Sequence, residues 1–310
     1  MRDAHPSAPR SRRRRNAALA TAVLGVAAVG TAFVVAAPPS RSAPRPAAAA
    51  TADAANGSTP WLRAAGAPPA VIAHRGAPSA APENTLVSDE VARRGGAKWI
   101  ENDVQPSKDG VPYILHDTTV DRTTDGTGRV RALTAAQLDA LDAGSWFAPA
   151  YAGVRVPTLA AQLADLRERG GNLLLEIKGA HTRAEVARIV RDIREQDMSD
   201  RVFVQSFDVP SLEHAHELAP DLPIGLLRVT LDADPVALAE QLDLAAYNVS
   251  DSALAARPGV VSELHAAGVA VNVWTVDRAA RWKELDALGV DGIITNRPTE
   301  LGGWISGRSG

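Results

Sequence analysis

Eight short apolar runs between residues 70 and 295 constrain this chain more than any other feature. They are Ala70–Ala73, Lys98–Val104, Asn172–Ile177, Val202–Phe207, Ile224–Val229, Leu244–Val249, Val269–Val276 and Gly289–Thr295. Most are rich in β-branched residues and too short for helices, so they read as strands. Between most of them lie stretches with helical spacing: Thr85–Arg94, Ala180–Glu195, Val209–Leu218, Pro235–Leu242, Val260–Ala267 and Arg278–Leu288. Many of these end in Gly or precede Pro, as helices do. Strands alternating with helices run parallel, and eight is the number that closes a (β/α)8 TIM barrel, an α/β fold. An open doubly wound sheet is the rival, weakened because no Gly-rich nucleotide loop follows the first strand.

One segment breaks the rhythm. After Asp103 the chain reads Pro106-Ser107-Lys108-Asp109-Gly110, a turn signal, and then Val111–Leu115, a further short strand. This predicts a hairpin extending the second strand, with Glu101 opposite His116 if the turn centres near Lys108-Asp109. Residues 118–157 then form a long excursion rich in Thr, Gly, Asp and Ala. Loops of this length are usually functional or accessory. It is expected to be a small insertion capping the barrel mouth, with Trp146 and Phe147 as packing anchors.

The N-terminal part is a separate object. Arg12–Arg15 form a basic run, Ala17–Ala37 carry no charge, and a Pro/Ala-rich stretch follows through Ala50. Residues 1–50 therefore read as an export signal peptide, which implies a secreted protein. The alternative is an N-terminal membrane anchor, because about 20 apolar residues can span a bilayer. The paired arginines hint at the twin-arginine route. Residues 51–68 are rich in Ala, Gly, Ser and Pro and read as a flexible linker, leaving 69–303 as the folded domain and 304–310 as a C-terminal tail. Without residues 1–45 the chain loses 8 of 33 basic and 1 of 36 acidic residues, leaving 25 against 35 and a net charge of −10. An acidic body with no basic patch argues against nucleic acid as a partner. No cysteine is present, which excludes disulfides, thiol catalysis and Cys-ligated zinc.

The residues that carry chemistry cluster at the ends of the apolar runs, where parallel barrels build their active sites. Glu101 and Asp103 are two apart in a strand and so share a face. Two carboxylates on one buried face repel, and a shared divalent cation removes the conflict; hard cations such as Ca2+ and Mg2+ prefer oxygen ligands. The bland alternative is a pair of surface acids. Glu176 follows three leucines and is costly there unless paired or metal-bound. It could simply pair with Lys178, which points the same way. His74 and His116 each end a strand beside these carboxylates, which suggests general acid and general base. Arg75 offers a fixed fork for an anion, phosphate most naturally, and Lys178 a second positive charge. Together these residues describe phosphoryl chemistry without nucleotide machinery.

In their order these motifs resemble the glycerophosphodiester phosphodiesterase family. The matching pieces are His74-Arg75-Gly76, Pro82-Glu83-Asn84-Thr85, Glu101-x-Asp103, Lys108-Asp109-Gly110, His116-Asp117, Arg122-Thr123-Thr124, Glu176-Ile177-Lys178, Ser206-Phe207, Trp274-Thr275 and Asp291-Gly292. The resemblance covers about residues 70–300 and implies the same TIM barrel with a small insertion. It implies one divalent cation, Ca2+ or Mg2+, at Glu101, Asp103 and Glu176. It implies acid–base roles for His74 and His116, with Arg75 and Lys178 near the phosphate. It also suggests Trp274 as an apolar wall against the glycerol carbons; core packing is the other reading of that residue. One departure is Asn296, where the family more often has Asp after Ile-Ile-Thr, and it is expected to lie outside the catalytic set.

The implied activity is hydrolysis of small glycerophosphodiesters to glycerol 3-phosphate and an alcohol. Rival readings are a barrel phospholipase of the phosphatidylinositol phospholipase C or sphingomyelinase D type, and a non-enzymatic phosphodiester-binding protein. The phospholipase C need not use a three-carboxylate site. The sphingomyelinase would need an apolar membrane-binding patch, and stable membrane contact is not expected once the signal is gone. The binding protein would dispense with one or more of the five acids and histidines, all present here.

Overall fold

The computed structural model describes residues 61–307. The expected signal peptide and the first part of the linker lie outside the described residues. Among those described, no helix is long and apolar enough to cross a membrane.

Nine strands are present: β1 Ala70–His74, β2 Trp99–Pro106, β3 Pro112–Ile114, β4 Asn172–Ile177, β5 Val202–Ser206, β6 Ile224–Arg228, β7 Ala246–Ser250, β8 Ala270–Trp274 and β9 Gly292–Thr295. Eight of them pair in the order β1-β9-β8-β7-β6-β5-β4-β2, all parallel, and a β1–β2 pairing closes the ring. The TIM barrel expected from the rhythm is the observed fold. The ninth strand, β3, runs antiparallel to β2 as the predicted hairpin. Its register pairs Val104 with Ile114, and Leu115 donates its backbone N–H to Asp103 O. Continuing this register sets Glu101 opposite Asp117, one residue past the expected His116, because the turn closes at Gly110 with Ser107 N bonded to Val111 O.

The strands are apolar on both faces because the barrel interior and the helical ring both need covering. Outward residues such as Ile100, Leu173, Leu175 and Val204 join the main cluster with the surrounding helices. Inward residues Ile72, Leu174, Phe203, Ala246, Ala270 and Ile294 fill the lower barrel. The packed body starts before the expected boundary at residue 69. Trp61 sits edge-on to Trp99 and Phe203, with ring centroids 6.2 and 5.0 Å apart, and Arg63 pairs with Asp286 at 2.8 Å. The body also ends later than residue 303, since a helix over Pro298–Ser306 sets Trp304 and Ile305 against the core.

The insertion has its own small core of Tyr113, Leu115, Val120, Val130, Leu138, Ala143 and Val156. Trp146 and Phe147 are not its anchors. Trp146 is 39% exposed and stacks edge-on with Phe147, which in turn meets Tyr151. Ties to the barrel include the Tyr151 hydroxyl, which donates to Ala80 O at 2.8 Å, Arg122 on Glu83, and Arg131 on Glu185 and Ala180 O.

Candidate active site

Strand register assembles the site before any side chain is considered. His74 is the Cα partner of Glu101 across β1 and β2, and Asp103 is the partner of Glu176 across β2 and β4. Glu176 is in turn the partner of Gln205 on β5. Alternation along each strand then points these side chains into the barrel mouth. All the expected site residues except Asp103 border one cavity of about 180 Å³ at that end. Asp103 lies just beneath it and is 1% exposed. A larger cavity, about 570 Å³, lies at the opposite end beside Trp61, Trp99 and Phe203, away from every one of these groups.

The turn after β1 is built for close approach. Arg75 and Gly76 both adopt left-handed backbone, at φ 55° and 83°. A Cβ at Gly76 would come within 2.4–2.7 Å of Ser88, so only glycine fits there. Ser88 Oγ accepts from Ala77 N and donates to Arg75 O, which fixes the turn. Asn84 is also left-handed, at φ 56°, and its amide both donates to Asp103 Oδ2 at 2.9 Å and accepts from Asp103 N at 3.3 Å. Thr85 then caps the helix Leu86–Arg94.

Glu101, Asp103 and Glu176 are buried, and one oxygen from each lies within 4.8 Å of the other two. Asp103 Oδ1 and Glu176 Oε1 accept no well-aligned hydrogen bond; facing both is Lys178 Nζ, at 3.4 and 2.8 Å. Burial, with the charge of Asp103 second, pushes the Glu176 carboxyl up to about 8. Burial and then the charges of Asp103 and Glu176 also push Glu101 well above the usual carboxylate range. Burial opposes ionisation of Asp103 too, but Lys178, His116 and Arg75 outweigh it and hold that carboxyl low. Three buried carboxyls with oxygens within 4.8 Å of one another, two of them driven toward neutrality, fit a hard divalent cation.

Neutral amides orient this cage. Asn272 donates to Asn248 Oδ1 at 2.8 Å, Asn248 donates to Gln205 Oε1 at 2.8 Å, and Gln205 donates to Glu101 Oε1 at 3.2 Å. Gly292 leaves room for this row, since a Cβ there would meet Asn272 Oδ1 at 2.3 Å. Arg75 N donates to the other oxygen of Glu101 at 3.2 Å.

The two histidines have different backings. His74 Nδ1 lies 2.7 Å from Asn296 Oδ1, and its Nε2 lies 4.0 Å from Glu101 Oε2. Burial, and then the neighbouring Arg75 charge, lowers its pKa to about 4. His116 Nδ1 lies 2.8 Å from Asp117 Oδ1. Arg122 grips that carboxylate through Nε at 2.7 Å and Nη2 at 3.1 Å, and its other contacts reach Glu83 at 2.8 and 2.7 Å. Glu83 also accepts from Arg75 Nη1 at 2.8 Å. A charge ladder therefore runs from His116 through Asp117, Arg122 and Glu83 to Arg75. Gln105 fixes the turn carrying His116 by donating to the carbonyls of Leu115, His116 and Asp117 at 2.9, 3.0 and 2.7 Å. Trp274 is half-buried, donates to Asn248 O at 3.0 Å and stands edge-on to Phe207 at 5.5 Å.

Sequence reasoning assigned no role to Glu83, Asn84, Asp117, Arg122 or Gln205. Four of these lay inside motifs already singled out, and that membership was the available signal. Gln205 carried none. Asn296, expected to lie outside the catalytic set, touches His74 directly, because β9 neighbours β1 and delivers it behind that imidazole.

Acids, imidazoles and cations gathered at the C-terminal rim of a closed barrel, with no nucleotide loop, define a barrel enzyme that cleaves phosphodiesters. Comparison with known proteins narrows the class. A model of the glycerophosphoryl diester phosphodiesterase family matches residues 74–300. The chain therefore belongs to that family. It is 37% identical over 234 residues to the glycerophosphodiester phosphodiesterase of Caldanaerobacter subterraneus subsp. tengcongensis, covering 74% of this chain and 95% of that one. It is 32% identical over 249 residues to that of Bacillus subtilis, covering 73% and 83%. Its fold is similar to that of an Oleispira antarctica phosphodiesterase solved in complex with the product sn-glycerol-3-phosphate. For that structure the TM-score is 0.73 and the identity 33%, covering 77% of this chain and 97% of that one.

Proposed function

We propose that the enzyme hydrolyses small glycerophosphodiesters to sn-glycerol 3-phosphate and an alcohol, using His74 and His116 for proton transfer. The observation that carries this reading is the placement of both imidazoles on one small cavity with Arg75, Lys178, Glu101 and Glu176. Arg75 and Lys178 face the phosphate oxygens and fix the diester in the mouth. One imidazole takes the proton of the glycerol hydroxyl next to the phosphate as that oxygen attacks phosphorus. The other gives a proton to the departing alcohol, and water then opens the cyclic phosphate with the two roles exchanged. A divalent cation, Ca2+ or Mg2+, held by Glu101, Asp103 and Glu176, supplies charge stabilisation at the phosphoryl oxygens when bound. Trp274 and Phe207 wall the glycerol side, while the leaving alcohol faces the open mouth. The basic and apolar N-terminal stretch supports a site of action outside the cytoplasm.

The test is release of sn-glycerol 3-phosphate from glycerophosphocholine, with and without EDTA. Release that EDTA abolishes and Ca2+ or Mg2+ restores is expected. Full activity after exhaustive chelation would overturn the metal role, and absence of glycerol 3-phosphate under any ion would overturn the substrate class.

A further inference from the structure

We propose that Asn296, itself locked by Asp277, is a positioning residue that holds His74 in a single tautomer, with the proton on Nδ1 and the lone pair of Nε2 facing the carboxylate cage. The inference deepens the proposed function and rests on His74 acting in proton transfer.

The argument depends on which end of an amide faces which neighbour. Asp277 follows β8 and Asn296 follows β9, so neighbouring strand ends bring them together. Asp277 Oδ1 accepts from Asn296 N at 2.8 Å and from Thr295 Oγ1 at 2.9 Å. Its Oδ2 accepts from Asn296 Nδ2 at 2.7 Å. An ionised carboxylate only accepts, so the amide must turn its NH2 toward Asp277. Its carbonyl oxygen must then face His74, and Nδ1 lies 2.7 Å from it. A carbonyl oxygen also only accepts, so neutral His74 carries its proton on Nδ1. The remaining nitrogen, Nε2, is bare and points toward Glu101. The tautomer thus follows from one carboxylate two links away.

The same logic explains why Asn rather than Asp stands at 296. A carboxylate there would meet Asp277 at hydrogen-bond distance with no proton between them. Exchanging the two residues would recreate the chain with its polarity kept, since an amide following β8 can donate to a carboxylate behind His74.

The experiment uses the full chain loaded with Mg2+ and labelled with 15N-histidine, and reads two-bond 1H–15N correlations where imidazole is neutral. The His74 signals are assigned by their loss in His74→Ala. Wild type should show a protonated Nδ1 and a bare Nε2. Asn296→Leu should admit the other tautomer, and Asn296→Asp, by setting two carboxylates against each other, should displace the acceptor from His74; each should lower kcat by about 10- to 100-fold with KM little changed. The exchange Asp277→Asn with Asn296→Asp should restore the Nδ1–H signature and most of kcat. A wild-type His74 protonated on Nε2 would overturn the proposal with no variant needed. So would a preserved tautomer and kcat in Asn296→Leu, or an exchange variant no better than Asn296→Asp alone. Wild-type protein that releases no glycerol 3-phosphate would sink the functional reading, while the spectrum would still decide the tautomer.

Discussion

Stripping the cation should leave a protein that holds protons where the loaded protein holds metal, so metal affinity should rise with pH. Burial takes the Glu176 carboxyl from 4.5 to about 8, and Glu101 moves the same way. Both folded-state values lie above the unfolded ones, so the folded metal-free chain binds protons that the unfolded chain releases. The contribution of these two carboxyls to stability is therefore greatest at low pH within this window and falls as pH rises from about 4.5 toward 8, by on the order of 5 kcal/mol for Glu176, while His74, lowered to about 4, acts in the opposite sense below 6.5. Cation binding reverses the trend, because it must expel those protons. One displaced proton gives about a tenfold gain in affinity per pH unit below the Glu176 value, and displacement from Glu101 as well gives more. Calorimetric titration of EDTA-treated protein with Mg2+ or Ca2+, in two buffers of different ionisation heat, counts the released protons directly. At about 100 times Kd the cation should add roughly 2.7 kcal/mol, or about 5–11 °C in Tm for a domain of this size. Glu176→Gln should release fewer protons and flatten the pH dependence of the stripped protein. Affinity independent of pH between about 6 and 8, with no proton release, would refute the reasoning.

Four other expectations follow from the geometry. His74→Ala and His116→Ala should each lower turnover by about 10²- to 10⁴-fold while far-ultraviolet circular dichroism stays unchanged, as both sit at strand ends. Trp274→Ala should raise KM more than it lowers kcat, since the indole walls the cavity; a large fall in Tm with unaltered KM would assign it to packing instead. Gly76→Ala should cost about 2–4 kcal/mol in chemical denaturation, because a positive φ and a contact with Ser88 under 3 Å both oppose a Cβ. Gln205→Leu should weaken metal binding by about 10- to 100-fold in the same calorimeter, through loss of the amide that orients Glu101.

The sequence made the barrel legible because burial on both strand faces writes uninterrupted apolar runs, and β4 and the helix Val209–Leu218 match their expected bounds. Outside the insertion, whose expected loop holds the short helix Ala135–Asp139, three helices escaped. Leu159–Arg169 begins where the insertion rejoins the barrel, and its start signal at Thr158 stands directly after the excursion, with no expected strand between to set it apart. Asp251–Ala256 is too short to show a period. Pro298–Ser306 carries Gly302 and Gly303 in its middle and is held by packing of Leu301, Trp304 and Ile305 rather than by propensity. In the site, charge was the legible signal, since a buried carboxylate or imidazole in an apolar run demands an explanation. Gln205, Asn248, Asn272 and Asn296 gave none. A neutral amide in or just after a strand has no period and no charge, and its partner is set by strand register or, across 222 residues for Asn296 and His74, by barrel closure.

That closure gives the enzyme a kinetic property as well as a shape. β1 is wedged between β2 and β9, so the first strand made cannot be paired on both edges until the last one docks. Until then β1 presents a bare parallel edge, a hazard for aggregation, and contacts this distant in sequence form slowly. His74 is in the same position, because the groups that align it arrive with residues 277 and 296. A chain arrested or clipped before β9 would keep both histidines and all three acids yet lack the alignment of one histidine. With His74 in its proposed role, the competence of this active site is a late event in folding, reached only when the ring is shut.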